Sequence, residues 1–213
     1  SKEQNLRNSP LLEMYRNRGI EVLIMDDEID DIVISAVPKY ADTPLKSVNR
    51  SDAAEALKTD DDRQKEKEIE PVIAKIKEAL GDLVKDVKAS TRLSDSPSCI
   101  VEDENDPTVQ MQHLLKAMRQ KNIPDFKPIL EINPEHEIIT KLAGTGDAGV
   151  IADVSHLLLE QALHGARALG VEPHHRLVHD HHLGVVHQRR ADDQLLPHAV
   201  AVVLDQLVGR AHQ

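Results

Sequence analysis

KPILEINPEHEIITKL, residues 127–142, decides the fold: a short covered strand runs without a loop into a capped helix. Ile129, Leu130 and Ile132 form the aliphatic, β-branched run of a covered strand. Asn133 stands where an N-cap belongs and Pro134 at the first helical position, with Glu135 and Glu137 in a first turn whose dipole favours carboxylates. Any α/β protein contains such corners, so this one sets architecture and not function.

Working outward, residues 84–89 and 98–102 read as two further strands joined by the turn-prone RLSDSP. Ile69, Val72, Ile73, Ile76 and Leu80 lie on one helical stripe that Gly81 ends, and this helix from about Glu66 covers the three-stranded sheet. Residues 1–50 read as helix, strand, helix, strand: Ser9 and Pro10 open the first helix, Gly19 ends it, and residues 21–25 follow as a buried strand. Residues 46–48 read as a short edge strand. The acidic run Asp26, Asp27, Asp30 and Asp31 has the ligands a magnesium ion takes. It is read instead as the start of the next helix, where unpaired backbone N–H groups favour acidic side chains. Residues 51–67 are dense in charge of both signs, a linker or a solvated helix, and the domain boundary is expected there.

Downstream, Gly144, Gly146 and Gly149 mark a loop before a helix over 150–163. Val150, Ile151, Val154, Leu157, Leu158, Leu159 and Leu163 cover more than one of its faces, so it must be buried twice, once against its own domain and once against something else. Before the third strand, Met111, Leu114, Leu115 and Met118 repeat at helical spacing behind Asp106 and Pro107. Such a stripe is ordinarily core, although methionine also suits surfaces that accept partners of variable shape.

Composition excludes several classes. The chain has 213 residues, a formal charge of -11, no Trp, one Phe and two Tyr. The charge opposes binding to nucleic acid or an anionic membrane, and the missing aromatics remove a base-stacking platform. No apolar run approaches the roughly 18 residues of a membrane span, and the first ten residues are too polar for a secretory signal, so a cytoplasmic protein is expected. Cys99 is the single cysteine, which rules out an intrachain disulfide and a thiolate metal cluster.

KPILEINPEH at 127–136 closely resembles the C-terminal domain of the HtpG chaperones, the bacterial branch of the ninety-kilodalton heat-shock family. In the same order SPLLE with GIEVL (9–13, 19–23), LGDLVKDVKASTRLSDSPSCIV (80–101) and SHLLLEQA (155–162) resemble that family too. The resemblance covers residues 1 to about 163. It implies the end of the chaperone middle domain in 1–50, a C-terminal dimerisation and client-contact domain in 68–163, and a homodimer. It also implies that Met111, Leu114, Leu115 and Met118 meet non-native client proteins. Ile151, Val154, Leu157 and Leu158 would pack in a four-helix dimer interface, with Leu204 and Leu207 on a closing helix. ATP and magnesium belong to an N-terminal domain of the intact family. No phosphate-binding loop occurs in this chain, so no ATP hydrolysis, catalytic residue or resident cofactor is expected of it alone.

From His164 onward lysine disappears, and nine of the 12 histidines gather at 164, 174, 175, 179, 181, 182, 187, 198 and 212. His174 to His182 can present imidazoles to a metal, but no Glu stands between them as a general base, so adventitious binding is expected rather than a metallohydrolase. Residues 194–208 carry a helical stripe through Leu195, Leu196, Ala199, Val200, Val203, Leu204 and Leu207 that would substitute for the closing helix. The reading is therefore an α+β chaperone fragment: a small mixed unit, a helix-covered three-stranded sheet and C-terminal dimerisation helices. The alternative is a truncated or frame-shifted chimera with a metal-binding tail at 164–213.

Overall fold

The computed structural model describes residues 6–25, 29–37, 39–40, 43–107, 126–168 and 200–204. Its centre is strand β6 (Ile129–Ile132), placed between β4 (Asp86–Ala89) and β5 (Ser98–Val101). β6 runs parallel to β4 and antiparallel to β5, so Leu130 lies opposite Val87 on one side and Ile100 on the other. All four β6 residues are buried and three are aliphatic, which is why the strand reads as an apolar run; Glu131 is the one charged side chain among them.

Helix α3 (Asp60–Leu80) covers this sheet. It starts in a capping box, in which Thr59 Oγ1 accepts from the Asp62 N–H and the Asp62 carboxylate accepts from the Thr59 N–H. Ile69, Val72, Ile76 and Leu80 form the buried stripe, and Gly81 leaves the helix at a φ of 50°, where a side chain would be strained. The charged run from Asp60 is thus the first half of this helix. Pro71 lies inside it and cannot donate to the Lys67 carbonyl; Lys67 is exposed, so that carbonyl has solvent beside it.

Helix α4 (Glu137–Gly144) follows β6, and α5 (Ala148–Ala168) then crosses β5 and α3 to complete one apolar core with Ile76, Leu130, Ile139 and Leu158. The N-cap of α4 is His136, whose Nδ1 accepts from the Ile138 N–H, and not Asn133. Asn133 is buried and its amide is committed to another loop.

Toward the N-terminus, the Ser9 side chain accepts from the Leu11 N–H to open a short 3-10 turn (Pro10–Leu12), which continues into α1 (Glu13–Asn17). Gly19, at a φ of 65°, turns the chain into β1 (Val22–Met25). α2 (Asp30–Ala36) leads to a hairpin of β2 (Lys39–Tyr40) with β3 (Thr43–Ser47). Leu11, Leu12, Met14 and Tyr15 share a second cluster with Val48, Leu93, Cys99 and Ile129, so this end of the chain packs on the three-stranded sheet.

Two expectations are corrected here. β3 is not an edge, because it lies between β2 and β7 (Val200–Leu204). Nor do residues 200–204 belong to a helix: VAVVL is rich in β-branched residues and pairs antiparallel with β1 on one side and β3 on the other. Two ladders outweigh a local helical stripe. Among the described residues no helix is long and apolar enough to cross a membrane.

Ile76 is fully buried at the α3–sheet contact. Ile76→Ala will cost about 2–5 kcal/mol in urea unfolding, whereas Thr59→Ala, which removes only the cap, will cost about 1 kcal/mol.

Candidate functional site

The turn from β4 to β5 is where distant parts of the chain meet. Its backbone donors go to Glu13 at the start of α1: Glu13 Oε2 accepts from the N–H groups of Ser94 (2.6 Å), Asp95 (2.9 Å) and Ser96 (3.3 Å), and Oε1 accepts from Ser96 Oγ at 2.5 Å. Its backbone acceptors go to Asn133, whose Nδ2 donates to the carbonyls of Ser94 (3.0 Å) and Ser96 (3.2 Å). Asn133 Oδ1 then accepts from the Glu135 N–H, which fixes the exit from β6. Burial alone would raise the Glu13 carboxyl, but the bonds from Ser96, Ser94 and Asp95 outweigh it and hold the carboxyl below its ordinary value.

Arg92, in the same turn, is 1% exposed. Its Nη1 donates to the Val48 carbonyl at 2.5 Å and its Nη2 to the Arg50 carbonyl at 3.1 Å. Nε lies 2.9 Å from Glu131 Oε2, with its N–H off the oxygen's line, so this contact is an ion pair more than a hydrogen bond. Glu131 Oε2 also accepts from Ser90 Oγ at 2.7 Å. Burial pulls against the Arg92 charge, but the Glu131 carboxylate outweighs that effect and holds the guanidinium protonated. Burial pushes the Tyr15 phenol up and the Cys99 thiol well up, so both are neutral and the thiol is unreactive.

Two open clefts flank this joint. One, of about 240 Å³, lies among Met14, Arg18, Asp62, Lys65, Ser94 and Asn133. The other, of about 370 Å³, lies among Lys58, Glu66, Lys88, Arg92, Asp103 and Glu131. Their walls carry both signs of charge, already paired in Arg18–Asp62 (3.4 Å), Lys58–Glu55 (2.9 Å) and Lys58–Glu66 (3.2 Å). Among the described residues no group of His, Cys, Asp and Glu is placed to hold a metal ion. Asp26 and Asp27 lie outside the described residues, and Asp30 opens α2. The chemistry of this region is that of a structural joint.

The second surface is the outer side of α5. Ile151 and Leu158 face the chain's own core, and Val154 is half-buried against it. Leu157 is 63% exposed, with Val150 at 45% seven residues before it, and Ile138 on α4 is also exposed. One hydroxyl ties the helix to the sheet, Ser98 Oγ donating to the Leu158 carbonyl at 2.9 Å, while the buried Ser155 Oγ is satisfied within the helix by the Ile151 carbonyl at 2.6 Å. Leu204 lies in β7. Met111, Leu114, Leu115, Met118, Leu207 and the histidines from 174 onward lie outside the described residues.

Arg92, Glu131 and Glu13 carried no role in the sequence reading, and Asn133 only that of an N-cap. Their one signal was that each lies inside a stretch with a family resemblance. A family model described as Hsp90 protein matches residues 1–178, which carries the similarity past Leu163. The chain is 52% identical over 165 residues to the chaperone protein HtpG of Treponema denticola, an alignment covering 76% of this chain and 26% of that protein. It is 48% identical over 166 residues to HtpG of Aliarcobacter butzleri (75% and 26%) and 46% identical over 162 residues to HtpG of Treponema pallidum (74% and 25%). The chain thus spans about a quarter of the length of the curated relatives it matches.

Arg92→Met will strand the buried Glu131 charge and cost about 3–5 kcal/mol in urea unfolding, much of it recovered in Arg92→Met with Glu131→Met. Glu13 contributes its stability above the ordinary carboxyl range near about 4.3 and loses it as pH falls through its lower folded value. Glu13→Gln will therefore lower the urea midpoint at pH 7, and its deficit against the unaltered chain will shrink progressively below about pH 4.

Proposed function

This chain belongs to the Hsp90 family, and we propose that it supplies the homodimerising, client-contacting C-terminal portion of an HtpG-like molecular chaperone in the cytoplasm. Residues 1–50 act as the end of the middle domain, 51–67 as the connection, and 68–163 as the C-terminal domain. ATP and magnesium are assigned to parts of the relatives that lie outside the matched quarter, and this chain by itself hydrolyses no ATP.

The observation that carries the reading is the division of α5. One face is closed over the chain's own core while Val150 and Leu157 remain exposed on the other, together with Ile138. A helix apolar on both faces needs a second partner, and a second copy of the same helix offers a self-complementary apolar line. Met111, Leu114, Leu115 and Met118 are proposed to meet extended apolar segments of non-native proteins, for which methionine's flexibility is suited.

Light scattering over about a hundredfold range of concentration tests the dimer. The unaltered chain is expected to be dimeric at the upper end. Leu157→Glu removes about 2 kcal/mol of apolar burial from each protomer and will raise the dissociation constant on the order of a hundredfold or more, with an unchanged circular dichroism spectrum. A monomer at every concentration for both chains rejects the reading. Joint Met111→Ser and Met118→Ser will reduce suppression of aggregation of a chemically unfolded reporter protein without changing the molar mass.

A further inference from the structure

Two donors inside the joint are closed off from solvent and have no acceptor among the described residues. Tyr15 on α1 is 0% exposed, and its hydroxyl has no hydrogen-bond partner. The Arg92 Nε–H, in an equally buried side chain, points off the line of the oxygen it lies near. The acceptor side is just as lopsided. Ser90 Oγ, Arg92 Nε and Cys99 Sγ all approach Glu131 at Oε2, at 2.7, 2.9 and 3.9 Å, and among the described residues no hydrogen bond reaches Oε1. A buried hydroxyl, a buried guanidinium N–H and a buried carboxylate oxygen are groups that a folded chain ordinarily pairs.

These groups are neighbours. The Met14 N–H donates to the Arg92 carbonyl at 3.0 Å, which sets Tyr15 beside Arg92, and the charges acting on the phenol are those of Arg92, Glu131 and Asp52. Burial keeps the phenol neutral, so it stays an O–H donor. The apolar side chains packed with Tyr15, among them Leu11, Val48 and Ile129, offer it no acceptor. Arg92, Glu131 and Asp52 also line the open cleft of about 370 Å³, so solvent stands at the edge of the group. Two donors and one acceptor in a polar, accessible corner match the usual set of about three partners around a buried water. A water molecule both accepts and donates, which no single side chain here does for all three.

We propose that Tyr15, Arg92 and Glu131 form an internal water site, in which an ordered water drawn from the adjoining cleft accepts from the Tyr15 O–H and the Arg92 Nε–H and donates to Glu131 Oε1. The water then ties α1 to β6 through the one oxygen of Glu131 that the chain itself leaves unbonded. It adds a third link between the N-terminal unit and the sheet, beside those of Glu13 and Arg92. The site is separate from the Leu157 face of α5 and stands or falls without the dimer or the client contact.

Tyr15→Phe removes the hydroxyl and keeps the ring, and the sign of its effect is decisive. Loss of a hydroxyl bound to water will lower the urea midpoint of the full 213-residue chain by on the order of 0.5 M. Loss of an unpaired hydroxyl would raise the midpoint instead, and a raised or unchanged midpoint overturns the proposal. Tyr15→Phe joined with Glu131→Gln is expected to lower the midpoint by less than the two separate effects together, because both act on one water; strict additivity counts against it. Crystallography of the unaltered chain supplies a reading that needs no variant to fold. An ordered oxygen within about 3.2 Å of both Tyr15 Oη and Glu131 Oε1 is expected. A direct bond from Tyr15 to Glu131, or a dry site, overturns the proposal.

Discussion

A guanidinium that is 1% exposed governs how this chain closes on itself. Taking Arg92 out of water carries a penalty of several kcal/mol unless charge and hydrogen bonds replace the solvent. Glu131 supplies the charge from β6, and the carbonyls of Val48 and Arg50, just after β3, supply the hydrogen bonds. None of these partners is near Arg92 in sequence. The turn that carries Arg92 is gripped from the other side by Glu13 on its N–H groups and by Asn133 on its carbonyls, and Ser98 beyond it fastens α5. The four stretches that resemble one chaperone family are therefore the parts of one hydrogen-bonded joint.

This joint explains which parts of the fold were legible. The helix Asp60–Leu80 and the strand Ile129–Ile132 announce themselves, because a 3.6-residue stripe and a short apolar run are local signals. Glu131 does not, since a charged residue within an apolar run gives no sign that its counter-ion is as far back as Arg92. Asn133 looks like an N-cap because Asn-Pro-Glu satisfies every local rule; its amide is taken by the carbonyls of Ser94 and Ser96, and the cap passes to His136. At Val200–Leu204 a helical period and a β-branched run coexist in the same residues. The choice between them rests on the open sides of β1 and β3, which are about 150 residues or more away in the chain.

The apolar stripes on α5 could be counted in the sequence, but its rotation could not. The Ser98 hydroxyl on the Leu158 carbonyl and the packing of Leu158 and Leu159 in the core turn Ile151 inward and leave Leu157 outside. A shift by one residue about the helix axis would exchange those roles. The exposed face is thus set by packing and one hydrogen bond inside the chain itself.

Pro71 gives α3 a mechanical character that its length conceals. One rung of the hydrogen-bond ladder is missing near its middle, between a charged half at 60–70 and an apolar half that ends at Leu80. Bending stiffness is lowest at such a break. The helix nevertheless runs unbroken from Asp60 to Leu80, its two halves joined across a single missing rung. The ties between the N-terminal unit and the sheet that do not pass along this helix are those of Glu13 and Arg92, which join residues 13, 48 and 50 directly to the β4–β5 turn and to β6.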